Sequence, residues 1–161
     1  MRYDIIDATK NHALFLAQCR YAMFAAMYPK EDLSAKKDSF IAEAERYFRQ
    51  HEATEQLQSV IATCDGKPVG CGTALLQLRP PSIKHPVNIF SYILNVFVMP
   101  EHRGKQLARK MMDALHERSE QHGAHTVSLH ASEMGFPVYT GLGYEKVENY
   151  LEMALKLDEN Q

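Results

Sequence analysis

Apolar residues in the first third of the chain recur at the spacing of α-helices. After a short β-rich run over residues 3–6, residues 9–28 are rich in Ala, Leu, Phe and Met, and Pro29 ends this pattern. A second helical pattern runs from about Ser39, which is placed to cap it, to about His51. The sequence therefore predicts a short strand followed by two helices.

The middle third changes to runs of β-branched and aromatic residues. Residues 57–64 and 68–78 flank Asp65-Gly66, a dipeptide typical of two-residue hairpin turns. A loop containing three prolines follows, and residues 87–98 are then aromatic and β-branched over the length of a central strand. These patterns predict a hairpin and, after the loop, a long strand.

The last third alternates helix and strand. Residues 104–122 have the period of an amphipathic helix that Gly123 ends, and residues 126–130 form the next strand. The apolar stripe of that helix consists of Leu107, Met111 and Leu115. A short helix at 136–143 and a final pair of strands within 144–157 complete the pattern. A helix that connects two strands implies a mixed sheet with a parallel pair.

Composition indicates one globular domain over residues 1–161. The chain is 45% hydrophobic and 24% charged, which is ordinary for a protein with a buried core. A net charge of −2 provides no general attraction to nucleic acid or to an anionic membrane. Residues 1–12 lack the apolar core of a signal peptide, and no apolar run approaches a membrane span, so we expect a cytoplasmic protein.

The cysteines and histidines predict free thiols and no metal. Cys19, Cys64 and Cys71 are an odd number without the CxxC spacing of a zinc site. In a hairpin with a two-residue turn, Cys64 faces Lys67 and Cys71 faces Val60, so these two thiols do not meet. The clustered histidines, none at the paired spacing of an HExxH motif, are His116, His122, His125 and His130.

A short basic loop lies between the long strand and the helix that follows it. Pro100 ends the apolar strand, and Arg103, Gly104 and Lys105 come just before the amphipathic pattern. The first N–H groups of a helix have no partner within the helix, and the helix dipole adds positive charge there. Gly104 lets a ligand approach the backbone closely. The loop therefore fits a phosphate or pyrophosphate, although basic residues near helix starts are also common where nothing binds.

The strand, Pro100, Arg103, Ala108 and the helix together resemble the acyl-CoA motif of the GNAT family of N-acyltransferases. The family pattern is Arg or Gln, two residues, Gly, any residue, then Gly or Ala, and Gln106 stands here at the Gly position. Another residue fits there if the backbone is already helical and the side chain turns away from the cofactor. The resemblance implies acetyl-CoA as the acyl donor. The cofactor-binding residues that it implies are Val96, Phe97, Val98, Arg103, Gly104, Lys105, Gln106, Leu107, Ala108 and Ser132.

Residues 129–147 resemble the later motif of the same family. Tyr139 stands at its tyrosine position, Leu142-Gly143-Tyr144 at its Leu-Gly-aromatic turn, and Ser132 where many members have an Asn against the pantetheine arm. The resemblance covers residues 57–157. It implies an α/β (α+β) fold of the GNAT type, a mixed, mostly antiparallel sheet of six to seven strands flanked by about four helices. In that fold the sheet opens beside the long strand and leaves a slot for acyl-CoA.

The implied reaction gives three roles to the chain. Backbone N–H groups around Val96–Val98 stabilise the oxyanion. Tyr139 gives the departing sulfur a proton or a hydrogen bond, because a phenol with a reference pKa of about 10 is still protonated at neutral pH. Tyr139 has a plainer alternative as an aromatic that packs the short helix on the sheet. The amine must lose a proton, and the long strand has no carboxylate to accept it. The remaining polar candidates are Ser91, Tyr92 and Asn95, which order a water chain at most, and the lower-ranked His130 and Glu133.

The sequence thus predicts an acetyl-CoA-dependent N-acetyltransferase that acts on a primary amine by direct attack in a ternary complex. The alternative is a non-catalytic acyl-CoA-binding regulatory domain, which Gln106 and the missing carboxylate favour. Nucleic-acid binding through the basic loop conflicts with the net negative charge. We expect a small-molecule or peptide amine as the acceptor, no nucleic-acid or membrane partner, and leave a homodimer open. In the family the first two helices wall the acceptor side, here with Phe24, Tyr28, Pro29 and the loop at 79–87.

Overall fold

The computed structural model describes residues 1–148 and 153–157. The chain forms two compact units, Met1–His130 and Ala131–Gln161. Within the described residues, the first unit contains one five-stranded sheet with its α-helices, and the second contains a short helix. The single domain expected over residues 1–161 stays a prediction.

A mixed sheet forms the centre of the first unit. Its strands are β1 (Tyr3–Asp7), β2 (Leu57–Cys64), β3 (Lys67–Arg79), β4 (Asn88–Val98) and β5 (Thr126–Leu129). They lie in the sheet in chain order, and every neighbouring pair is antiparallel except β4 and β5, which are parallel. The predicted α/β class, the mostly antiparallel sheet and its parallel pair are confirmed.

The helices of the first unit cover both faces of this sheet. They are α1 (Ala13–Met27), α2 (Lys37–His51) and α3 (Leu107–Gln121). Leu16 of α1 and Phe48 of α2 belong to one buried cluster with Cys71 of β3. The next residue, Gly72, faces the other way, and a Cβ atom there would lie 2.9 Å from Leu115 of α3. Helices α1 and α2 therefore pack on one face, and α3 packs on the other.

The structure contains the helices that the sequence predicts, but the predicted N-cap of α2 is wrong. The predicted stripe of α3 is buried: Leu107, Met111 and Leu115. Helix α2 begins at Lys37 with Lys36 as its N-cap, so the prediction that Ser39 caps it is wrong. Ser39 lies inside the first turn, where its hydroxyl donates to the Lys36 carbonyl at 3.1 Å. A hydroxyl within the helix satisfies a carbonyl there and leaves the free N–H groups uncapped.

The hairpin forms with the predicted two-residue turn, but beyond the turn the pairing of β2 with β3 is shifted by one residue. Asp65 and Gly66 have φ angles of 48° and 80°, as a turn with two left-handed residues requires. The pairing of Cys64 with Lys67 is confirmed, whereas Cys71 pairs with Ile61 and not with Val60. A register shift between Ala62 and Thr63 displaces the two strands by one residue. The three cysteines are free and buried, as predicted.

The strand count is lower than the resemblance implies. The described residues contain five strands instead of six to seven, because 144–148 and 153–157, where a final pair was predicted, form no strand. Residues 149–152 of that predicted pair lie outside the described residues. The apolar side chains of the described part are exposed: Val147, Met153, Leu155 and Leu157. A strand gains its stability from ladder bonds and a buried face, and this segment lacks the second.

A carboxylate is fully buried between α2 and the sheet. Glu52, which caps the end of α2, has no exposed surface, and one carboxylate oxygen accepts the Ser59 N–H at 2.7 Å. The other oxygen accepts the Ser59 hydroxyl at 2.6 Å, and Thr73 contacts that hydroxyl at 2.8 Å. Burial raises the pKa of Glu52, and the hydrogen bonds from Ser59 partly oppose this. The group therefore ties the end of α2 to β2 and β3.

Removal of this carboxylate should weaken the fold in a pH-dependent way. We expect Glu52→Ala to lower the free energy of unfolding by about 2–4 kcal/mol, because it leaves two buried Ser59 donors without an acceptor. Glu52→Gln keeps an acceptor and should cost less. Since the raised pKa favours the neutral carboxyl in the folded state, its stabilising effect is present below the unfolded value of about 4.3 and lost as pH rises through the folded value.

Urea unfolding at pH 5 and pH 8 checks this prediction. The difference in unfolding free energy between Glu52→Gln and the wild type should shift toward the variant at pH 8, because the amide does not ionise. Equal shifts of both proteins between the two pH values would show that Glu52 does not titrate in this range.

Candidate functional site

Strand β4 carries a bulge in its second half. Thr73 of β3 pairs with Leu94, but Cys71 pairs with Phe97, so β4 has one residue more than β3 in this stretch. Asn95 takes a positive φ of 58°, a conformation that Asn tolerates better than most residues. Its side-chain amide donates to the Leu16 carbonyl of α1 at 3.3 Å. The bulge thus fixes α1 over β4 and turns the backbone after Asn95.

The outer edge of β4 is open along the same stretch. Strand β5 pairs with β4 only from Phe90 to Ile93. In the part of the chain that the structure describes, no strand lies beside Leu94–Val98 on that edge. An unpaired strand edge presents N–H and C=O groups that an extended ligand can bind. The predicted segment Val96–Val98 lies on this open edge.

The basic loop follows directly from the open edge. A 3₁₀ turn at Pro100–His102 ends the strand, and residues 103–106 are exposed before α3 begins at Leu107. Arg103 donates its Nε–H to the Val98 carbonyl at 3.1 Å. A Cβ atom at Gly104, whose φ is +73°, would meet no atom within 4 Å. The loop is therefore accessible, and its arginine lies against the end of β4.

Gln106 is the N-cap of α3, and its backbone is left-handed. Its φ and ψ are 59° and 21°, so the backbone is not in the right-handed helical conformation in which another residue would fit without strain. Its side chain makes no capping hydrogen bond to the helix. Glycine takes this conformation freely, whereas another residue pays about 1–2 kcal/mol. The left-handed turn explains why a Gly is the usual residue here, and the uncapped N–H groups suit an anion.

Glycine at this position should stabilise the protein. We expect Gln106→Gly to raise the free energy of unfolding by about 0.5–1 kcal/mol, since relief of the left-handed strain exceeds the added entropy of unfolded glycine. Lys105→Gly is the matched control, because Lys105 is equally exposed and has no positive φ to relieve. Urea denaturation compares the two variants with the wild type. Destabilisation by both variants alike would contradict a strained Gln106.

The second unit holds the predicted tyrosine in a short helix, α4 (Phe136–Gly141). The Ser132 hydroxyl accepts the Gly135 N–H at 3.1 Å, and the Ser132 carbonyl accepts the N–H of Phe136 at 2.9 Å. A Cβ atom at Gly135 would lie 2.8 Å from the Tyr139 ring, so a glycine is needed there. The Tyr139 and Tyr144 rings meet edge to face at 5.9 Å. Within residues 131–148, these contacts order the later motif.

Burial keeps the two tyrosines of this unit protonated. It raises the pKa of Tyr139, and burial together with Tyr139 raises the pKa of Tyr144. A phenol with a raised pKa remains a proton donor at neutral pH. Tyr139 therefore has the protonation state that the predicted general acid requires.

A tyrosine–histidine pair lies at the point where β4 and β5 separate. The Tyr92 hydroxyl is 2.6 Å from His130 Nδ1, and the two rings meet edge to face at 5.5 Å. Tyr92 pairs with Ser128, and His130 directly follows the end of β5. Sequence analysis named both residues separately but did not predict the pair. Only the parallel pairing of β4 and β5 brings together side chains that are 38 residues apart.

The other polar candidates of β4 make contacts of their own with the helices. Ser91 is buried and its hydroxyl contacts that of Ser119 on α3 at 2.7 Å. Asn95 is buried under α1 and fixes the bulge. On α1, Phe24 stacks with Tyr28 at 6.4 Å and meets Phe40 of α2 at 5.8 Å.

The described residues offer neither a metal cluster nor a membrane-spanning helix. Residues 1–148 and 153–157 contain no group of three or more His, Cys, Asp and Glu side chains placed to hold a metal ion. Among the same residues, no helix has both the length and the apolar character that a membrane span requires.

Three solved structures with a similar fold are described as acetyltransferases. The chain is similar to a predicted acetyltransferase with acetyl-CoA from Clostridium acetobutylicum, at 23% identity over 95% of this chain and 96% of that one, with a TM-score of 0.78. It is also similar to a GCN5-related N-acetyltransferase from Ralstonia eutropha JMP134, at 22% identity over 95% and 99%, with a TM-score of 0.75. A glucosamine-6-phosphate N-acetyltransferase from Arabidopsis thaliana shares 15% identity over 98% and 100%, with a TM-score of 0.68.

Sequence comparison adds the family. No match was found among the curated proteins. A family model described as an acetyltransferase (GNAT) domain matches residues 24–154, which is most of the chain. The bulged β4, its open edge and the left-handed turn before α3 lie within this match. The chain therefore belongs to the GNAT acetyltransferase family.

Proposed function

We propose that the protein transfers an acetyl group from acetyl-CoA to a primary amine by direct attack in a ternary complex. The observation that carries this proposal is the open edge of β4, which leads from the β4–β5 separation to the uncapped start of α3. The edge suits an extended pantetheine arm, and the helix start suits a pyrophosphate. Membership in the family and the acetyl-CoA named for a structure of the same fold support it.

Acetyl-CoA binds along β4, the basic loop and the start of α3, with successive parts of the cofactor on successive segments of the chain. The backbone of Val96–Val98 binds the pantetheine arm and offers N–H groups to the thioester oxygen. Arg103, Gly104 and Lys105, with the first N–H groups of α3 at Gln106, Leu107 and Ala108, bind the pyrophosphate. Ser132 donates its hydroxyl to the pantetheine amide, because its oxygen already accepts the Gly135 N–H.

Two proton transfers complete the reaction. The attacking amine gives a proton to the Tyr92 oxygen while the Tyr92 hydroxyl proton passes to His130 Nδ1, which forms an imidazolium and leaves Tyr92 neutral. As the C–S bond breaks, Tyr139 donates its proton to the departing sulfur. This assignment replaces the carboxylate that β4 lacks.

Release of free CoA thiol tests the proposal. The protein is incubated with acetyl-CoA and a panel of small-molecule and peptide amines, and calorimetry measures acetyl-CoA binding in parallel. We expect thiol release that requires an amine and yields one acetylated amine per thiol. Tight acetyl-CoA binding without thiol release from any amine would refute the enzyme and favour the non-catalytic regulatory domain. The cytoplasmic location and the homodimer stay predictions.

A further inference from the structure

Arg20 lies on α1, the helix that packs on the face of the sheet to which Tyr92 points. The Leu16 carbonyl, one helical turn earlier, accepts the side-chain amide of Asn95 at 3.3 Å and places α1 above β4. Tyr92 points to this face, because its neighbour Ser91 contacts α3 on the other. The Arg20 guanidinium accordingly interacts electrostatically with the phenol of Tyr92.

No carboxylate compensates the charge of Arg20 in the described residues. The ion pairs of residues 1–148 and 153–157 use Arg2, Arg46, Arg49 and Arg118. The Phe24 ring lies 5.0 Å from the Arg20 guanidinium, and the groups that interact with its charge are the phenols of Tyr47 on α2 and Tyr92 on β4. The guanidinium is partly buried among uncharged groups, and burial lowers its pKa without removing its charge.

An anion bound at Arg20 would compensate for the hydration that its guanidinium loses on burial. A partly buried cation loses hydration, and aromatic rings recover only part of that loss. Arg donates in a planar fork that matches carboxylate and phosphate oxygens. The phosphates of the cofactor are not this anion, because from Tyr92 the strand extends roughly 20 Å to Val98 before the basic loop begins. The charge therefore lies at the Tyr92 end of β4, where the proposed reaction places the attacking amine.

We propose that Arg20 binds an anionic group of the amine acceptor, so that the preferred substrates are amines that also carry a carboxylate or a phosphate. This inference rests on the proposed function for the identity of the ligand as the acceptor. With the anion at Arg20, the amine of the same molecule lies beside the Tyr92 hydroxyl. The arginine selects the substrate and takes no part in the bond changes.

Matched pairs of amines test this selection. Each pair keeps the amine and changes the charge: 4-aminobutyrate against butylamine, phosphoethanolamine against ethanolamine, and glucosamine 6-phosphate against glucosamine. Thiol release gives kcat/KM for wild type, Arg20→Gln and Arg20→Lys, with Arg46→Gln as a control that removes an exposed, ion-paired arginine. Circular dichroism and the melting temperature confirm that each variant folds.

The expected result is a loss that depends on the charge of the substrate. Arg20→Gln should lower kcat/KM for the anionic amines about 10- to 100-fold and change the neutral ones less than about threefold, since a charged hydrogen bond is lost. Arg20→Lys should lose less, and Arg46→Gln and the KM for acetyl-CoA should stay unchanged. The pairs that show the effect distinguish carboxylate from phosphate. Equal activity on charged and neutral partners, or equal losses on both, would overturn the proposal while the enzyme stands.

Calorimetry separates this failure from that of the proposed function. The anionic amines are titrated into wild type and Arg20→Gln in the presence of CoA. Arg20-dependent binding without transfer of acetyl to any amine would uphold the anion site and refute the enzyme. Absence of both Arg20-dependent binding and transfer would refute the two together.

Discussion

Replacement of Tyr139 by Phe should lower kcat about 10²- to 10⁴-fold while acetyl-CoA binding changes little. The hydroxyl is the proposed proton donor to the departing sulfur, and loss of a positioned general acid has effects of this size. The ring itself is a packing element, because it lies against the backbone of Gly135 and against the ring of Tyr144. Phe keeps these contacts, so the variant removes the proton and leaves the packing.

Tyr144→Phe is the matched control for this experiment. Tyr144 is buried in the same unit, and its pKa is raised like that of Tyr139. It has no proposed proton transfer, so its variant should keep kcat within about threefold of wild type. Steady-state kinetics of thiol release and calorimetry with acetyl-CoA measure both variants. Equal kcat values for Tyr139→Phe and wild type would leave Tyr139 as a packing residue only.

Local patterns in the sequence predicted most of the fold. The Asp65-Gly66 turn, the stripe of α3 and the parallel pair beside it depend on short-range geometry, and the structure confirms all three. Two irregularities were not predicted: the register shift between Ala62 and Thr63 and the bulge at Asn95. Both add one residue to a strand without changing its apolar character, so periodicity cannot reveal them.

The candidate site was predicted where a motif is contiguous. The sequence located the basic loop and the segment Val96–Val98, and the structure places them on one open path along β4. The left-handed backbone of Gln106 was not predicted, because the presence of Gln at a Gly position does not reveal whether the backbone there is left-handed or helical. The signal that could have predicted this backbone is the Gly of the family pattern, because glycine is the usual residue where a turn requires a positive φ.

Long-range contacts were beyond the sequence. Arg20, Tyr92 and His130 come from a helix, a central strand and the end of the next strand, and no spacing rule links them. Glu52 was equally invisible, since nothing local distinguishes a buried glutamate at a helix end from an exposed one. Such groups become evident only when the sheet order and the faces of its strands are known.

Loss of the Tyr92 hydroxyl should have the second large effect. We expect Tyr92→Phe to lower kcat/KM about 10²- to 10⁴-fold, because the amine then has no relay to His130 Nδ1. Phe keeps the edge-to-face contact with the His130 ring. The charged group that faces Tyr92 from α1 is Arg20, so the Tyr92→Phe variant is compared with wild type on charged and neutral amines alike. Ser91→Ala is the control, because that neighbouring hydroxyl contacts α3 on the other face.

A double-mutant cycle separates proton relay from simple packing. His130→Gln should lower kcat/KM as much as Tyr92→Phe, and the double variant should lower it no further than either, because the two residues serve one proton path. Additive losses would remove the pair from the mechanism and leave the amine to lose its proton to solvent.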